Sequence, residues 1–274
     1  MTDNSEISRR AFTMGAAGLG LTALAGIAPA AAETIPASVA ALYRKAIVID
    51  ALASPDTWNV PYPPPGVLTP EKLANVRASG ITAVNLTVGR PGSFVDTVKE
   101  ISKWVGHIEA HPDHFLLVKR HADLAAAKKA GKLGIIFGFQ GMGMIGEDLS
   151  LIDTFGGLWV KIMQLTYNDR NPLGAGSSSP DSEGLTPLGR EAVARMNGLG
   201  ILVDTGHATP QTVIDAAAAS SKPITCSHTG ARAIYDSQRN QTDAALRAVA
   251  DTGGVVGIYL MPFLGRDPVS PSRA

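Results

Sequence analysis

Two histidines in the second half of the chain each follow a short apolar run. His207 comes shortly after residues 201–203. His228 comes shortly after residues 224–226. Both runs are rich in residues that favour strands, and the span between them is long enough for one crossover helix, so the pattern predicts a strand–helix–strand unit. Parallel strands place both rings at one edge of a sheet, where neutral imidazoles are suited to bind a divalent metal; the alternative is that each histidine only caps its strand or bonds to a loop.

Composition indicates one sizeable α/β domain and argues against a nucleic-acid partner. The sequence has 274 residues, of which 45% are hydrophobic, and 24 basic side chains balance 24 acidic ones. It has no cluster of basic residues interleaved with aromatic rings, which nucleic-acid binding would require. The single cysteine, Cys226, excludes an intrachain disulfide, and its place in an apolar run favours a core side chain over a nucleophile.

Residues 1–32 have the features of an export signal. The pair Arg9-Arg10 precedes a weakly apolar run over residues 15–27, and small residues before Glu33 suit a cleavage site. This pattern resembles a twin-arginine signal, and the alternatives are an ordinary secretory signal or an uncleaved anchor. The run is shorter than the roughly 20 residues that span a bilayer. We therefore predict an exported protein, periplasmic or otherwise outside the cytoplasm, with no membrane span in the mature chain.

Strand and helix patterns alternate along residues 33–264, which we interpret as one barrel domain. The runs predicted as strands are 46–50, 81–87, 133–139, 160–166, 201–203, 224–226 and 254–260. Residues 115–118 fit either a further strand or a connector that packs against a helix. The alternation predicts a parallel α/β fold, for which we expect an incomplete (β/α)8 TIM-type barrel with about seven strands; a doubly wound open sheet is the alternative.

The last ten residues, 265–274, form a polar tail that is too short and too rich in proline for another strand and helix. A barrel without that unit leaves its first and seventh strands with unpaired edges. We therefore expect the sequence to be a C-terminally truncated form of a longer protein.

Short polar motifs follow the predicted strands in a definite order. They are Gly138-Phe139-Gln140-Gly141, Gln164-Leu165-Thr166-Tyr167-Asn168, Met196-Asn197-Gly198-Leu199-Gly200, Asp204-Thr205-Gly206-His207, Ser227-His228-Thr229 and Arg239-Asn240. Their order and their places at strand ends resemble the membrane (renal) dipeptidase family of zinc peptidases. The resemblance covers most of the chain up to Leu260 and is densest from Leu133 onward.

The resemblance implies an amidohydrolase-type barrel whose zinc site hydrolyses dipeptides. By motif, His207 and His228 match two histidine ligands of one zinc. Arg239 matches the arginine that holds the terminal carboxylate of the substrate, a role that suits a planar bidentate donor. The other polar residues expected at the substrate are Gln140, Tyr167 and Asn168. Since the family is often dimeric, a homodimer is a further expectation.

Several positions depart from the pattern of that family. Its first strand ends in a histidine and an aspartate that bind a second zinc, and here these positions are Leu52 and Ser54. Gln140 replaces a bridging glutamate, and Tyr167 replaces an active-site histidine. Because a neutral amide is a poor bridge between two cations, we predict a single zinc site rather than a binuclear one.

Two functions of different classes follow from these residues. The first is an exported, metal-dependent dipeptidase-like hydrolase acting on dipeptides or related small amides, with a metal on His207 and His228 that activates water. The second is a non-catalytic or truncated barrel that binds a small ligand outside the cytoplasm. The replacements at Leu52, Ser54 and Gln140 favour the second.

Overall fold

The computed structural model describes residues 35–57 and 66–259. The predicted export signal, residues 58–65 and the predicted polar tail lie outside the described residues, so the predictions about the signal and the tail stay predictions. The chain divides into two units, Met1–Ala40 and Ala41–Ala274, and the site described below belongs entirely to the second. None of the helices in the described part of the chain has the length and apolar character needed to cross a membrane.

Helices and strands alternate as the sequence predicts. The helices are α1 Ala37–Lys45, α2 Pro70–Ser79, α3 Phe94–Ala110, α4 Ala122–Ala130, α5 Ser150–Gly157, α6 Pro187–Leu199, α7 Pro210–Ala219 and α8 Asp243–Asp251. The strands are β1 Ile49–Asp50, β2 Ala83–Gly89, β3 Phe115–Leu117, β4 Leu133–Phe139, β5 Val160–Gln164, β6 Leu202–Asp204, β7 Thr225–Thr229 and β8 Val255–Ile258. Two single turns of 3₁₀ helix lie at Pro55–Thr57 and Gly143–Ile145.

The strands form one sheet in which every strand pairing is parallel. Neighbouring strands follow the order β1-β2-β4-β5-β6-β7-β8, and β3 pairs with the first residues of β4. Along this path each new strand is added on the same side of the previous one. In a doubly wound sheet the strand order instead reverses partway through the chain. The curled sheet is a half-barrel, which confirms the prediction of an incomplete TIM-type barrel with about seven strands.

Four of the eight described helices begin at a threonine, which explains why their boundaries were readable from the sequence. The hydroxyl of each capping threonine accepts a hydrogen bond from a backbone N–H in the first turn, and three of these helices continue with proline. The capping residues are Thr69, Thr186, Thr209 and Thr242. At its other end α6 stops at Gly200, whose φ of 66° is in the left-handed region.

The core is densest around β4, which is buried along its whole length. The ring of Phe139 packs edge-on against that of Phe155 from α5, with centroids 4.8 Å apart. This contact anchors the end of β4, directly before Gln140. Cys226 is also buried, and burial raises the pKa of its thiol to about 12, so its predicted place in the core is confirmed.

Candidate functional site

The two predicted histidines lie side by side at the carboxyl edge of the sheet. Their ring centroids are 4.8 Å apart and the rings meet edge to face. His207 follows β6 after three residues, and His228 lies inside β7 rather than beyond its end. Helix α7 is the crossover between these strands. Both side chains are buried, with 6% and 7% of their surface exposed, so each ring nitrogen needs a protein or ligand partner.

A chain of hydrogen bonds holds His228 from behind. The hydroxyl of Ser227 donates to Asp204 over 2.6 Å, and the same oxygen lies 2.8 Å from Nδ1 of His228. Because that hydroxyl has already given its only hydrogen to Asp204, its oxygen accepts the N–H of Nδ1. The neutral ring therefore carries its electron pair on Nε2, which lies 3.4 Å from the side-chain nitrogen of Gln140.

His207 is held by different groups but in the same tautomer. Its Nδ1 lies 2.7 Å from the side-chain oxygen of Asn168, an acceptor, so Nδ1 donates and Nε2 keeps the electron pair. The hydroxyl of Ser177 donates to that same oxygen. The ring of Tyr167 stacks on the imidazole at 4.1 Å with an angle of 22°. Both histidines thus offer an unprotonated Nε2.

Both imidazoles are neutral at physiological pH. Burial, followed by the charges of Arg239, His228 and Arg90, lowers the pKa of His207 to about 2. Burial and the charge of Arg239 lower the pKa of His228 to about 3. Burial also raises the pKa of the Asp204 carboxyl, against the hydrogen bonds that it accepts from neighbouring donors. The site therefore combines neutral nitrogen ligands with a nearby fixed cation.

Arg239 reaches the same space from the loop after β7. Its Nη1 donates to the backbone oxygen of Gly206, next to His207, over 2.8 Å. Its guanidinium carbon lies 5.7 Å from the centre of the Tyr259 ring, which in turn lies 6.1 Å from the ring of His228. The loop is fixed by Thr229, whose hydroxyl donates to the backbone oxygen of Arg239. Arg239 is thus positioned beside both histidines.

Gln140 connects the histidines to a cavity of about 930 Å³ at the ends of β1 and β2. The hydroxyl of Thr87 donates to the side-chain oxygen of Gln140, which turns the amide nitrogen toward His228. Leu52 and Ser54, the residues that replace metal ligands of the resembled family, also line this cavity. The hydroxyl of Ser54 is itself engaged by Asp56.

The structure brings all six sequence-predicted site residues together at one edge of the sheet. They are Gln140, Tyr167, Asn168, His207, His228 and Arg239. The site also contains three residues for which the sequence motifs predicted no role: Asp204, Ser227 and Tyr259. The first two were visible as polar residues ending or interrupting apolar runs, whereas Tyr259 was read only as part of a strand.

The donor set falls short of a catalytic zinc site. Among residues 35–57 and 66–259 there is no group of three or more histidine, cysteine or acidic side chains that could hold a metal ion. Two imidazoles stand there with the neutral amides of Gln140 and Asn168, whereas catalytic zinc usually has three protein ligands. The described residues therefore do not complete a zinc centre, single or binuclear.

Comparison with known proteins gives consistent matches. The sequence model described as membrane dipeptidase (peptidase family M19) matches residues 76–270. Dipeptidase tcpJ of Claviceps purpurea is 28% identical over 179 residues, which are 64% of this chain and 42% of that protein. An uncharacterized dipeptidase, C965.12, of Schizosaccharomyces pombe is 32% identical over 152 residues, 54% of this chain and 36% of that protein.

A solved structure matches the fold as well. The crystal structure of an amidohydrolase from Pseudomonas aeruginosa superposes with a TM-score of 0.73 at 33% identity, covering 82% of this chain and 66% of that one. The chain spans less than half the length of the two fungal relatives.

Proposed function

The chain belongs to the membrane dipeptidase family, peptidase family M19, and we propose that it is a metal-dependent, dipeptidase-like hydrolase of dipeptides or related small amides. The observation that carries the proposal is the pair of buried imidazoles with centroids 4.8 Å apart. Each has its Nδ1 engaged by a hydrogen bond, so each offers Nε2 as a donor. This arrangement is typical of histidines that bind metals.

Zinc is the metal that we propose, with His207 and His228 as two of its ligands. A bound zinc ion supplies a Lewis acid that activates water in hydrolases. A third histidine, cysteine or acidic ligand is not found beside them among residues 35–57 and 66–259. The chain's own residues would bind and orient the substrate and would exclude water from its surroundings.

Arg239 is the residue that we propose for the terminal carboxylate of the substrate. Its guanidinium is partly buried and forms no ion pair with any described carboxylate, so a ligand carboxylate would compensate its charge. Gln140, Tyr167 and Asn168 would contact the rest of the substrate. The side-chain nitrogen of Asn168 makes no hydrogen bond to the described residues, which leaves it free to donate to a substrate carbonyl.

A second candidate function, a small-ligand binder without catalysis, is favoured by one observation. The residues where a second metal would need ligands, Leu52, Ser54 and Gln140, instead line the cavity of about 930 Å³, which meets the histidine site at Gln140. An aliphatic side chain, a hydroxyl and an amide suit an organic ligand better than a cation. In this alternative the histidines would be hydrogen-bond acceptors.

Metal analysis and dipeptide assays on the purified protein separate the two candidates. The proposed hydrolase contains zinc and cleaves alanylalanine, and it loses both properties when His207 and His228 are changed to alanine. The exposed His121 gives a matched control, since its change to alanine should alter neither. Binding of alanylalanine without cleavage, with or without added zinc, would support the binder. A protein that neither binds nor cleaves it contradicts both.

Export and assembly complete the proposal. We propose that the mature protein acts outside the cytoplasm, because residues 1–32 resemble a twin-arginine signal, and that it pairs as a homodimer, as the family resemblance implies. Cell fractionation of the tagged full chain and light scattering of the purified protein test these two points.

A further inference from the structure

Arg239 is a partly buried cation whose hydrogen-bonding capacity is mostly unused. A guanidinium has five N–H donors, and among the described residues the side chain of Arg239 has one acceptor, the backbone oxygen of Gly206. Among the described residues, Asp204 is the one carboxyl group whose charge acts on Arg239, but it already accepts hydrogen bonds from Ser227 and Gly206. An arginine that is buried without a counterion is costly unless a ligand supplies one. The geometry therefore indicates an anion site next to the histidines.

Tyr259 contributes a second unused donor at the same place. Its hydroxyl is buried and has no hydrogen-bond partner among the described residues. Its backbone N–H donates to the oxygen of Thr229 over 3.1 Å, which ties the chain at the end of β8 to β7. Buried hydroxyls in native proteins are nearly always paired, so an unpaired one beside a ligand site indicates a missing partner.

The position of the Tyr259 ring places it between the two functional groups of the site. It lies 5.7 Å from the guanidinium carbon of Arg239 and 6.1 Å from the ring of His228. Burial raises the pKa of the phenol, so the hydroxyl keeps its proton at physiological pH and remains a donor. Among residues 35–57 and 66–259, the other buried side-chain atoms without a hydrogen-bond partner are amide oxygens, which are acceptors and do not attract an anion. They belong to Asn85, Gln164, Asn240 and Gln241.

We propose that Tyr259 is a ligand-binding residue whose hydroxyl donates a hydrogen bond to a carboxylate oxygen, while Arg239 neutralises the charge of that carboxylate. A neutral donor beside the guanidinium supplies direction, because a phenol donates along one line. The ligand class is a small molecule with a free terminal carboxylate. The identification of that ligand with a dipeptide rests on the proposed function, but the role of Tyr259 does not require hydrolysis.

The test compares two ligands that differ only in that group, alanylalanine and its C-terminal amide. Affinity is measured as KM where turnover occurs and as Kd by calorimetry where it does not. Tyr259→Phe should lower the affinity for alanylalanine by about 10- to 100-fold, the range expected for a hydrogen bond to a charged group. The affinity for the C-terminal amide should change by less than about 2-fold, because its neutral end is not the carboxylate that Arg239 and Tyr259 bind. Tyr235→Phe, the same change on the loop that carries Arg239, is the matched control and should leave the affinity for both ligands unchanged.

Each outcome has a definite meaning. A loss of affinity for alanylalanine but not for its amide supports the role of Tyr259. It does so even if the protein does not cleave alanylalanine, in which case only the hydrolase proposal fails. Unchanged affinity in Tyr259→Phe overturns the inference. An equal loss for both ligands also overturns it, because it shows a structural role, and thermal unfolding of the variant shows whether the fold has been weakened. Failure of the unaltered protein to bind alanylalanine overturns the inference and removes the basis of the proposed substrate.

Discussion

The carboxylate of Asp204 accepts a hydrogen bond of 2.6 Å from the hydroxyl of Ser227, across neighbouring strands β6 and β7. The backbone N–H of Ser227 donates to the other oxygen of that carboxylate over 2.9 Å. With both bonds in place the serine oxygen faces Nδ1 of His228 as an acceptor. A buried carboxyl group that makes no direct contact with the His228 ring in these hydrogen bonds thus determines which nitrogen of His228 carries the proton.

Changing Ser227 to alanine should therefore disturb His228 without removing it. The ring loses the acceptor for its Nδ1 proton, so we expect a mixture of tautomers in ¹⁵N NMR spectra and a fall of about 10-fold or more in affinity for zinc or ligand. Asp204 also loses a donor while buried, which should lower the free energy of unfolding by about 1–3 kcal/mol. The exposed Ser178, changed to alanine, is the control. A single unchanged tautomer in Ser227→Ala would contradict the positioning role.

The stability of the protein should fall in mild acid because of the two histidines. In the unfolded chain each has a pKa of 6.5, whereas in the folded protein the values are about 2 for His207 and about 3 for His228. The folded state binds fewer protons, so this contribution to stability is complete above pH 6.5 and is lost as the pH falls toward the folded-state values. At about 1.4 kcal/mol for each pH unit, the loss at pH 5 is about 2 kcal/mol for each ring.

Denaturant unfolding between pH 7.5 and pH 5, with a chelator present, measures this loss. The double variant His207→Gln, His228→Gln should show a flatter dependence on pH than the unaltered protein. The exposed His121, changed to glutamine, should keep the full slope. Equal slopes in the double variant and the unaltered protein would show that the buried imidazoles take up protons while folded.

Two glycines should respond in opposite directions to an added methyl group. A Cβ at Gly176 would lie 2.1 Å from the backbone oxygen of Tyr167 and 2.6 Å from that of Asn168. Gly176→Ala should therefore destabilise the protein by about 2 kcal/mol or more and displace Asn168 from His207, reducing ligand affinity. A Cβ at Gly198 in α6 meets nothing within 4 Å, so Gly198→Ala should stabilise the protein by roughly 0.5–1 kcal/mol. Chemical denaturation compares them, and similar effects at both positions would contradict the packing of the loop that follows β5.

The seven strands of the half-barrel were predictable because each is a short apolar run between helices with clear caps. Their ends were less predictable. The fourth run was predicted to extend through 166 but β5 ends at Gln164, where the side-chain nitrogen bonds to the backbone oxygen of Thr166 and the chain turns into a loop. The ambiguous residues 115–118 form β3, which pairs beside the start of β4 and leaves the order of the barrel strands unchanged.

The candidate site was predictable to the extent that its residues follow strands. Strand ends on one edge of a parallel sheet converge, so His207, His228 and Gln140 could be expected to meet. The hydrogen bonds that orient the site residues join residues far apart in sequence, such as Thr87 and Gln140. No local pattern indicates such a bond, and for the same reason Tyr259 was read as an ordinary strand residue.

The last prediction concerns the missing metal ligand. Gln140 has its side-chain nitrogen 3.4 Å from Nε2 of His228 and its oxygen bonded to Thr87. Gln140→Glu keeps the shape of the side chain and the acceptor for Thr87, but it places a carboxylate oxygen beside His228. The number of metal ligands would then be three, which is usual for catalytic zinc. We expect zinc affinity to rise by about 10-fold or more, measured by competition with a chromophoric chelator, whereas Gln140→Ala, which adds no ligand, should give no rise. If Gln140→Glu binds zinc no better than the unaltered protein, then His207 and His228 are not positioned as ligands of one ion, and the small-ligand binder becomes the better account of the site.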